Sequence, residues 1–181
     1  MSEKYKVRNP EGIYFITIIV TDWFDLFVRS IYKEIVIDPL KYCAINKGLV
    51  IYAYVIMTSH IHMIVSSLNG SELSDTIRDF KKCTSKKLIQ SLLENIESRK
   101  ERLLEKLSSS AERIKQGVNY KLWQDGFHPI ELNTNQMIDQ RLDYIHNNPV
   151  EEGIVEHPED YLYSSARNYS EMHGMIEVTK I

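Results

Sequence analysis

Two apolar runs lie so close together along the chain that they can pair only as an antiparallel hairpin. The first, Leu49–Met57 (LVIYAYVIM), and the second, Ile61–Ser66 (IHMIVS), are rich in the β-branched and aromatic residues typical of strands. Only Thr58, Ser59 and His60 separate them, whereas a parallel pair needs a crossover connection of roughly a dozen residues or more. The sequence therefore predicts an antiparallel sheet built around this hairpin.

The remaining apolar residues recur at strand or helix spacing and complete the predicted order β-α-β-β-α-β-α. Gly12–Thr21 predicts a strand before the hairpin, and Ile130–Leu132 predicts a short strand after it. Helices are predicted for three segments: Val28–Asn46, the residues from Glu72 toward Ile96, and the residues from Asn133 to Pro149. This order favours an α+β fold, with a ferredoxin-like antiparallel sheet and helices packed on one face.

Capping and helix-breaking residues set the predicted helix ends. Ser71 is predicted to cap the second helix and Asn133 the third, with Gln136 reaching back as in a capping box. Pro39 predicts a kink or a break within the first helix, and Pro149 predicts the end of the third. Proline has this effect because it lacks the amide N–H that a helix interior requires.

A chain of 181 residues fits one domain, 1–181. Charged residues dominate Glu97–Lys115, and we expect a solvated helical hairpin there with its turn at Ser108–Ser110. This interpretation makes residues 97–118 a helical insertion in the domain. A DNA clamp and a dimerising helix are the functional alternatives for the segment.

The composition is that of an ordinary globular protein, with 43% hydrophobic and 26% charged residues. No apolar run is long enough to cross a membrane, and the two cysteines, Cys43 and Cys83, lack the spacing of a metal site. These features favour a cytoplasmic protein with free thiols and no membrane partner. Because the net charge is −3, contact with nucleic acid must use a local basic patch.

His60 and His62 are the sharpest candidate metal ligands in the sequence. Alternation along a strand directs both side chains to one face of the sheet and Ile61 to the other. Two neighbouring imidazoles on a rigid element can bind a divalent metal. A bare His-x-His pair is more often two unrelated histidines than a metal site, so residues elsewhere have to decide.

A second candidate site lies on the last predicted helix, in Asp143–Val150 (DYIHNNPV). Tyr144 falls at the edge of the apolar stripe that includes Ile145, and Asn148 follows one helical turn later on the face of Tyr144. A packed tyrosine with a satisfied hydroxyl, followed by an Asn-Pro helix terminator, is the structural alternative.

Taken together, Tyr54–Val65 (YVIMTSHIHMIV) and Asp143–Val150 resemble the single-tyrosine HUH transposases, and among them the REP-associated tyrosine transposases. Tyr14–Thr17, Trp123–Gln124 and Tyr161–Ser165 also match, so the resemblance covers nearly the whole chain. It implies a compact antiparallel sheet with the histidine pair on a central strand and the tyrosine helix packed nearby.

The resemblance implies a chemistry as well as a fold. His60 and His62 correspond to the metal-binding pair, and Tyr144 to the nucleophile. Asn148 falls at the position of a third polar ligand, with Asn147 as the alternative. Attack by the tyrosine would leave a 5′-phosphotyrosine and a free 3′-hydroxyl, and a second hydroxyl could rejoin the ends. Imidazole ligands favour Mn²⁺ or Zn²⁺ by softness, and the resemblance implies Mg²⁺ or Mn²⁺, which we adopt.

DNA binding is expected on a local basic surface, with an aromatic residue, Trp123 or Phe127, as a base-stacking platform. Its predicted members are Arg78, Lys81, Lys82, Lys86, Lys87, Lys121 and Trp123. An ordinary exposed helix face is the alternative for the basic residues. The expected partner is single-stranded DNA, in hairpin or palindromic form, bound by a monomer or a homodimer. His128 and His146 are left out of the predicted site.

Two other functions stay open at the level of sequence. One is a DNA-hairpin binding protein of the same fold that no longer transposes, and the other is a metal-dependent phosphodiester hydrolase. The joint presence of His60, His62 and Tyr144 favours the strand-transferring enzyme over the binding protein. Replacement of Tyr144 by phenylalanine separates that enzyme from the hydrolase, because only covalent catalysis needs the phenolic oxygen.

Overall fold

The computed structural model describes residues 7–68, 72–113, 117 and 119–181, which contain a four-stranded antiparallel sheet. The strands are β1 (Tyr14–Ile19), β2 (Leu49–Ile56), β3 (His60–Ser67) and β4 (Ile130–Glu131). Their order across the sheet is β2-β3-β1-β4, as in a ferredoxin-like split βαβ arrangement. The predicted α+β fold is confirmed.

The described residues form five α-helices and three short 3-10 turns. The helices are α1 (Ser30–Asn46), α2 (Leu73–Glu94), α3 (Lys100–Glu112), α4 (Asn135–Glu151) and α5 (Ala166–Tyr169). The turns are Thr21–Trp23, Leu26–Val28 and Pro158–Asp160. Helices α1 and α2 pack on each other, and α4 packs on β2 and β3. Among these described helices, none has both the length and the apolar character that crossing a membrane requires.

Strands β1 and β3 form the centre of the sheet and are almost entirely buried. Their isoleucine and valine side chains suit a pleated, buried surface. The register places Thr17 opposite His62 and Ile19 opposite His60, and directly opposed residues of antiparallel strands share a face. Because Phe15 alternates with Thr17, it lies on that face as well.

Two prolines that were expected to interrupt helices are accommodated within them. Helix α1 is a single helix through Pro39, which excludes a break there. The predicted stop at Pro149 was wrong, because α4 continues to Glu151. Both proline rings are buried, and their packing offsets the loss of one helical hydrogen bond each. Helix α4 closes one turn later, where Ile154 donates its N–H to the Pro149 carbonyl at 2.8 Å.

Within the described part of the charged segment, residues 97–113, there is one helix, α3, and the predicted helical hairpin was wrong. Ser108–Ser110, expected to form its turn, lie inside α3, and Ser110 is buried. Leu103, Leu107 and Ala111 are also buried, because their spacing places them on the same side of a helix. The apolar contacts of this face outweigh the preference of serine for turns.

The helix ends differ in detail from the predicted ones. Thr134 caps α4 in place of Asn133, and its hydroxyl accepts a hydrogen bond from the backbone N–H three residues later at 3.2 Å. A cap side chain bonds to the amide two or three residues ahead of it. Because the cap is Thr134 and not Asn133, the helix starts one residue later than expected. Ser71, the predicted cap of α2, lies outside the described residues. Helix α2 ends at Glu94, so that Ile96 is exposed.

The chain beyond α4 adds to the outer edge of β2. Ile56 donates its N–H to the Tyr163 carbonyl at 3.0 Å, and Ser165 donates its N–H to the Tyr54 carbonyl at 2.9 Å. The hydroxyl of Ser165 also lies 2.9 Å from Nε2 of His146, on α4. This segment therefore ties α4 to the edge of the sheet.

Candidate active site

His60 and His62 lie on one face of β3, a central strand, as the alternation of the sequence predicts. Their relative exposures are 7% and 5%, and their ring centroids are 4.5 Å apart. Thr17 lies across the strand from His62, with its Oγ1 atom 2.9 Å from His62 Nδ1. The Oγ atom of Ser59 lies 3.1 Å from His60 Nδ1. When each Nδ1–H donates to its hydroxyl oxygen, each Nε2 atom keeps its lone pair.

Both imidazoles are held in their neutral form by burial. Burial lowers the pKa of His60 to about 4. It also lowers the pKa of His62 to about 3, with smaller contributions from His60 and Arg141. At neutral pH both rings are therefore uncharged, which is the state in which histidine binds a metal.

We expect the free energy of unfolding to fall between pH 7 and pH 5. Burial lowers the pKa of His60, His62 and His146 from 6.5 to about 4, 3 and 4. These three histidines thus stay unprotonated in the folded protein, whereas in the unfolded chain they bind protons as the pH falls below 6.5. Stability is full above that pH and is lost as the pH falls toward the lowered values, by about 1–2 kcal/mol for each histidine at pH 5.

Urea unfolding at the two pH values measures this decrease. His62→Gln should lose less stability between pH 7 and pH 5 than the wild-type protein loses. The matched control is His157→Gln, because His157 is exposed, and it should lose as much as the wild type. A decrease of the same size in His62→Gln and in the wild type contradicts the expectation.

Helix α4 places Tyr144 against the histidine face of the sheet. The Tyr144 hydroxyl lies 3.4 Å from Nε2 of His62, and the two rings are 5.2 Å apart between centroids. The tyrosine ring also makes an edge contact with Phe15 at 6.1 Å. The expected approach of the tyrosine hydroxyl to the histidine pair is therefore confirmed within a single chain.

Asn148 follows Tyr144 by one turn of α4 and is buried, with 6% relative exposure. Among the residues that the structure describes, its Oδ1 atom has no hydrogen-bond partner. A buried amide oxygen without a partner is costly unless a ligand satisfies it. Asn147 is exposed, and its side-chain amide donates to the Asp143 carbonyl at 2.9 Å. Of the two asparagines, Asn148 is therefore the one suited to hold a cation.

Of the predicted site residues, His62 and Tyr144 lie in the wall of an open cavity of about 300 Å³, whereas His60 and Asn148 do not line it. None of the other wall residues, which include Trp23, His128 and Arg141, was among the predicted site residues. Arg141 could have been found from its spacing, since it precedes Tyr144 by three residues on the same helix. Trp23 and His128 carry no such signal, because Trp23 lies in a short 3-10 turn and His128 in the irregular segment before β4, and the position of each relative to the sheet depends on tertiary contacts.

Arg141 extends a cation over the aromatic residues of the cavity. Its guanidinium lies 4.6 Å from the centroid of the Phe15 ring and 5.9 Å from that of Tyr144, within the range of cation–π contacts. Within the described parts of the chain, no carboxylate forms an ion pair with it. The charge of Arg141 is therefore available to an anionic ligand of the cavity.

Some residues of the predicted basic surface are exposed, and others contact other parts of the protein. Arg78, Lys82, Lys86 and Lys87 are exposed on α2. Arg78 forms an ion pair with Asp75 at 2.6 Å, which is weak at such exposure.

Lys81 and Lys121 contact residues 122–127 or lie next to them, and this segment forms hydrogen bonds with β1 and the turn after it. The Lys81 ammonium donates to the carbonyls of Gln124 and Gly126 at 2.5 and 2.7 Å, and burial lowers its pKa to about 8. Lys121 forms an ion pair with Asp125 at 2.8 Å. The Lys81 ammonium holds this segment in place, which corrects the expectation that it faces a phosphate backbone. The pairing of Lys121 does not test that expectation, because the Asp125 side chain is 83% exposed and such ion pairs are weak.

Trp123 is part of the core and does not offer a stacking surface. Its relative exposure is 4%, its indole N–H donates to the Thr84 hydroxyl at 3.0 Å, and its ring packs near Phe27 and Phe80. This position corrects the expected role, because a base could reach the ring only if the core opened. His146 faces Ser165, away from the cavity, as expected.

Comparisons with known proteins identify a family and a similar fold. The family model described as "Transposase IS200 like" matches residues 14–106. None of the curated proteins matches the chain. Among solved structures, the REP-associated tyrosine transposase bound to a REP hairpin is similar over 100% of this chain and 95% of that chain, with 20% identity and a TM-score of 0.64. A proposed transposase from Deinococcus radiodurans R1 is similar over 80% of this chain and 96% of that chain, with 16% identity and a TM-score of 0.46.

Proposed function

Because the chain belongs to the family of IS200-like transposases, we propose that it cleaves and rejoins single-stranded DNA with Tyr144 as the nucleophile. The observation that carries the proposal is the distance of 3.4 Å between the Tyr144 hydroxyl and Nε2 of His62, at the wall of an open cavity. This distance is long for a hydrogen bond. The hydroxyl therefore has no strong structural partner there and is available to a substrate.

The proposed reaction exchanges one phosphate ester for another. The Tyr144 oxygen attacks the phosphorus atom and forms a new P–O bond, while the bond from phosphorus to the 3′ oxygen of the DNA breaks. The phenol loses its proton to solvent, and the departing 3′ oxygen gains one. The resulting 5′-phosphotyrosine keeps the energy of the ester, so that a second 3′-hydroxyl can attack it and restore a DNA strand.

We propose that three side chains would hold a divalent cation, Mg²⁺ or Mn²⁺: the neighbouring His60 and His62, with ring centroids 4.5 Å apart, and Asn148, one helical turn after Tyr144. The hydroxyl partners at both Nδ1 atoms fix the rings, as the partners of metal-binding histidines do. The Oδ1 atom of Asn148, which has no hydrogen-bond partner among the described residues, would supply an oxygen ligand, which such cations prefer. A bound divalent cation would neutralise charge on the phosphoryl oxygens during attack.

Arg141 is proposed to bind the same phosphate from the side of the helix. Its guanidinium presents several donors in a plane and suits a phosphodiester oxygen. Because Phe15 supports the guanidinium at 4.6 Å, the charge is positioned before the substrate arrives. Such positioning stabilises the developing negative charge without reorganisation during the reaction.

We propose a DNA hairpin as the form of the substrate. The REP-associated transposase with the similar fold was solved bound to a REP hairpin, which supports this choice. Tyr144 and both histidines meet within one chain, so that a monomer can carry a complete site and a homodimer would carry two.

Incubation of the protein with an end-labelled DNA hairpin that carries single-stranded extensions tests the proposal. With Mn²⁺ present, a denaturing gel should show a covalent protein–DNA adduct, and peptide mass analysis should place the nucleotide on Tyr144. Cleavage without any adduct would replace this proposal with a metal-dependent hydrolase. Binding without cleavage or adduct would replace it with a hairpin-binding protein.

We expect the exposed basic residues of α2 to set the salt dependence of DNA binding. Arg78, Lys82 and Lys86 recur every fourth residue and form one stripe on the helix. Removal of one phosphate contact flattens the slope of log affinity against log salt by about 0.7 on single-stranded DNA. Replacement of all three residues by glutamine should therefore flatten the slope by about 2. Lys41→Gln on α1 is the matched exposed control, and an unchanged slope in the triple variant places the DNA on another surface.

A further inference from the structure

Trp23 is a large aromatic residue that the proposed chemistry does not use, although it borders the same cavity. Its side chain is exposed, with 54% relative exposure. Its ring centroid lies 5.2 Å from that of His60 at an interplanar angle of 68°. The cavity wall contains Trp23 together with Tyr144 and Arg141. An exposed indole thus lies beside the place where the proposed phosphate would bind.

The backbone at this position is strained. Asp22 and Trp23 have φ values of 53° and 55°, in the left-handed region that side chains other than glycine rarely adopt. Two such residues in succession persist only when the surrounding structure enforces them. Hydrogen bonds close the turn: Trp23 donates its N–H to the Val20 carbonyl at 3.0 Å, and Thr21 donates its N–H to the Leu122 carbonyl at 2.8 Å.

A second set of contacts holds the turn from α3. The Asp22 carboxylate forms an ion pair with Arg113, and it accepts a hydrogen bond from the Ser110 hydroxyl at 3.2 Å. Arg113 also donates to the Ser110 hydroxyl at 2.6 Å. Because Asp22 immediately precedes Trp23, this cluster fixes the direction in which the indole leaves the turn.

Packing of the indole does not account for the strain. The other tryptophan, Trp123, is 4% exposed and has its indole N–H satisfied, as a core residue does. Trp23 instead leaves more than half of its surface open to solvent. Strained positions that present a side chain to a cavity occur at sites that bind ligands.

We infer that Trp23 is a stacking platform for an unpaired nucleobase next to the phosphate that Tyr144 attacks. The inference rests on the proposed function, which places single-stranded DNA in this cavity. Every base has an aromatic face that can stack on an indole, so such a platform holds the strand without selecting its sequence. The Asp22 turn and α3 serve to position the platform.

Binding measurements in a Tyr144→Phe background test the inference without cleavage. The probe is a fluorescent DNA hairpin with single-stranded extensions, studied without added metal. Trp23→Ala should weaken its binding about tenfold, and Trp23→Phe should weaken it less. The control is Tyr42→Ala, because Tyr42 is 56% exposed and lies on α1, outside this cavity. It should bind as the parent protein does.

Single abasic nucleotides, introduced one at a time along the extensions, locate the stacked base. At one position, the abasic change should weaken binding by the parent protein about as much as the Trp23→Ala substitution does. The same abasic change should not weaken binding by the Trp23→Ala variant any further. Binding of the intact probe should also quench the fluorescence of Trp23. This quenching should be absent in Trp23→Phe. Additive effects at every position, or equal binding by Trp23→Ala and the parent, would overturn the inference.

The adduct assay separates this inference from the proposed function. An adduct on Tyr144 together with additive abasic effects leaves the chemistry intact and overturns the platform. Coupling between Trp23 and one nucleotide without any adduct supports the platform and overturns the covalent chemistry. If Trp23→Ala does not fold, as judged by its thermal unfolding, the quenching and abasic measurements on the parent and Trp23→Phe decide in the same way.

Discussion

Tyr144→Phe is expected to abolish DNA cleavage and the covalent adduct while leaving folding and DNA affinity almost unchanged. The substitution removes one oxygen and keeps the ring, so the contacts of the ring with Phe15 and His62 remain. The tyrosine oxygen lies as far as 3.4 Å from Nε2 of His62, and so long a hydrogen bond contributes little to stability. Covalent catalysis, by contrast, has no substitute once the attacking atom is gone.

Gel analysis of labelled DNA, combined with thermal unfolding and a binding isotherm, measures the three effects separately. Tyr120→Phe serves as the control and should cleave as the wild type does. An adduct formed by Tyr144→Phe, mapped to Tyr120 or Tyr161, would show that another tyrosine is the nucleophile. Tyr161 is a poor candidate, because its hydroxyl is buried and donates to the Ile56 carbonyl at 2.8 Å.

His60→Ala is expected to lower the cleavage rate by about 100-fold or more while leaving Tyr144 in place. The variant would still contain the nucleophile, Tyr144. The rate falls because the cation that would neutralise the charge of the phosphate has one ligand fewer. High Mn²⁺ concentrations should restore part of the rate, since the remaining ligands would bind the cation more weakly. No such recovery is expected for Tyr144→Phe, and this difference separates the two roles.

Single-turnover cleavage measured over a range of Mn²⁺ concentrations tests this expectation. His157→Ala is the matched control, because His157 is exposed and lies on the segment after α4. It should keep the wild-type rate at every concentration. Full activity of His60→Ala at low Mn²⁺ would exclude His60 from the cation site.

The strands and the histidine pair could be predicted because their signals are local. Runs of β-branched residues favour strands, and the short link between β2 and β3 allows only a hairpin. Alternation then fixes His60 and His62 to one face without any tertiary information. The match of the chain to the IS200-like family and the shared fold confirm the resemblance that these motifs carried.

The missed features depend on contacts between segments that are far apart in the sequence. Nothing local distinguishes Trp123, which the core surrounds, from Trp23, which a strained turn holds in solvent. The role of Lys81 is set by two carbonyl groups of a distant segment. The low helix propensity of Pro39 and Pro149 was likewise outweighed by the burial of their rings. A rule based on local sequence does not include burial.

The pairing of Tyr54 with Ser165, and the contact of Ser165 with His146, has a consequence for protein synthesis. A ribosome releases the chain from its N-terminus, and the elements made first can fold first. The hairpin that contains both histidines can therefore form before the segment that fastens α4 to the sheet has been made. While Ser165 is missing, so is its contact with His146 on α4, and we expect Tyr144 to reach its place beside His62 only late in folding.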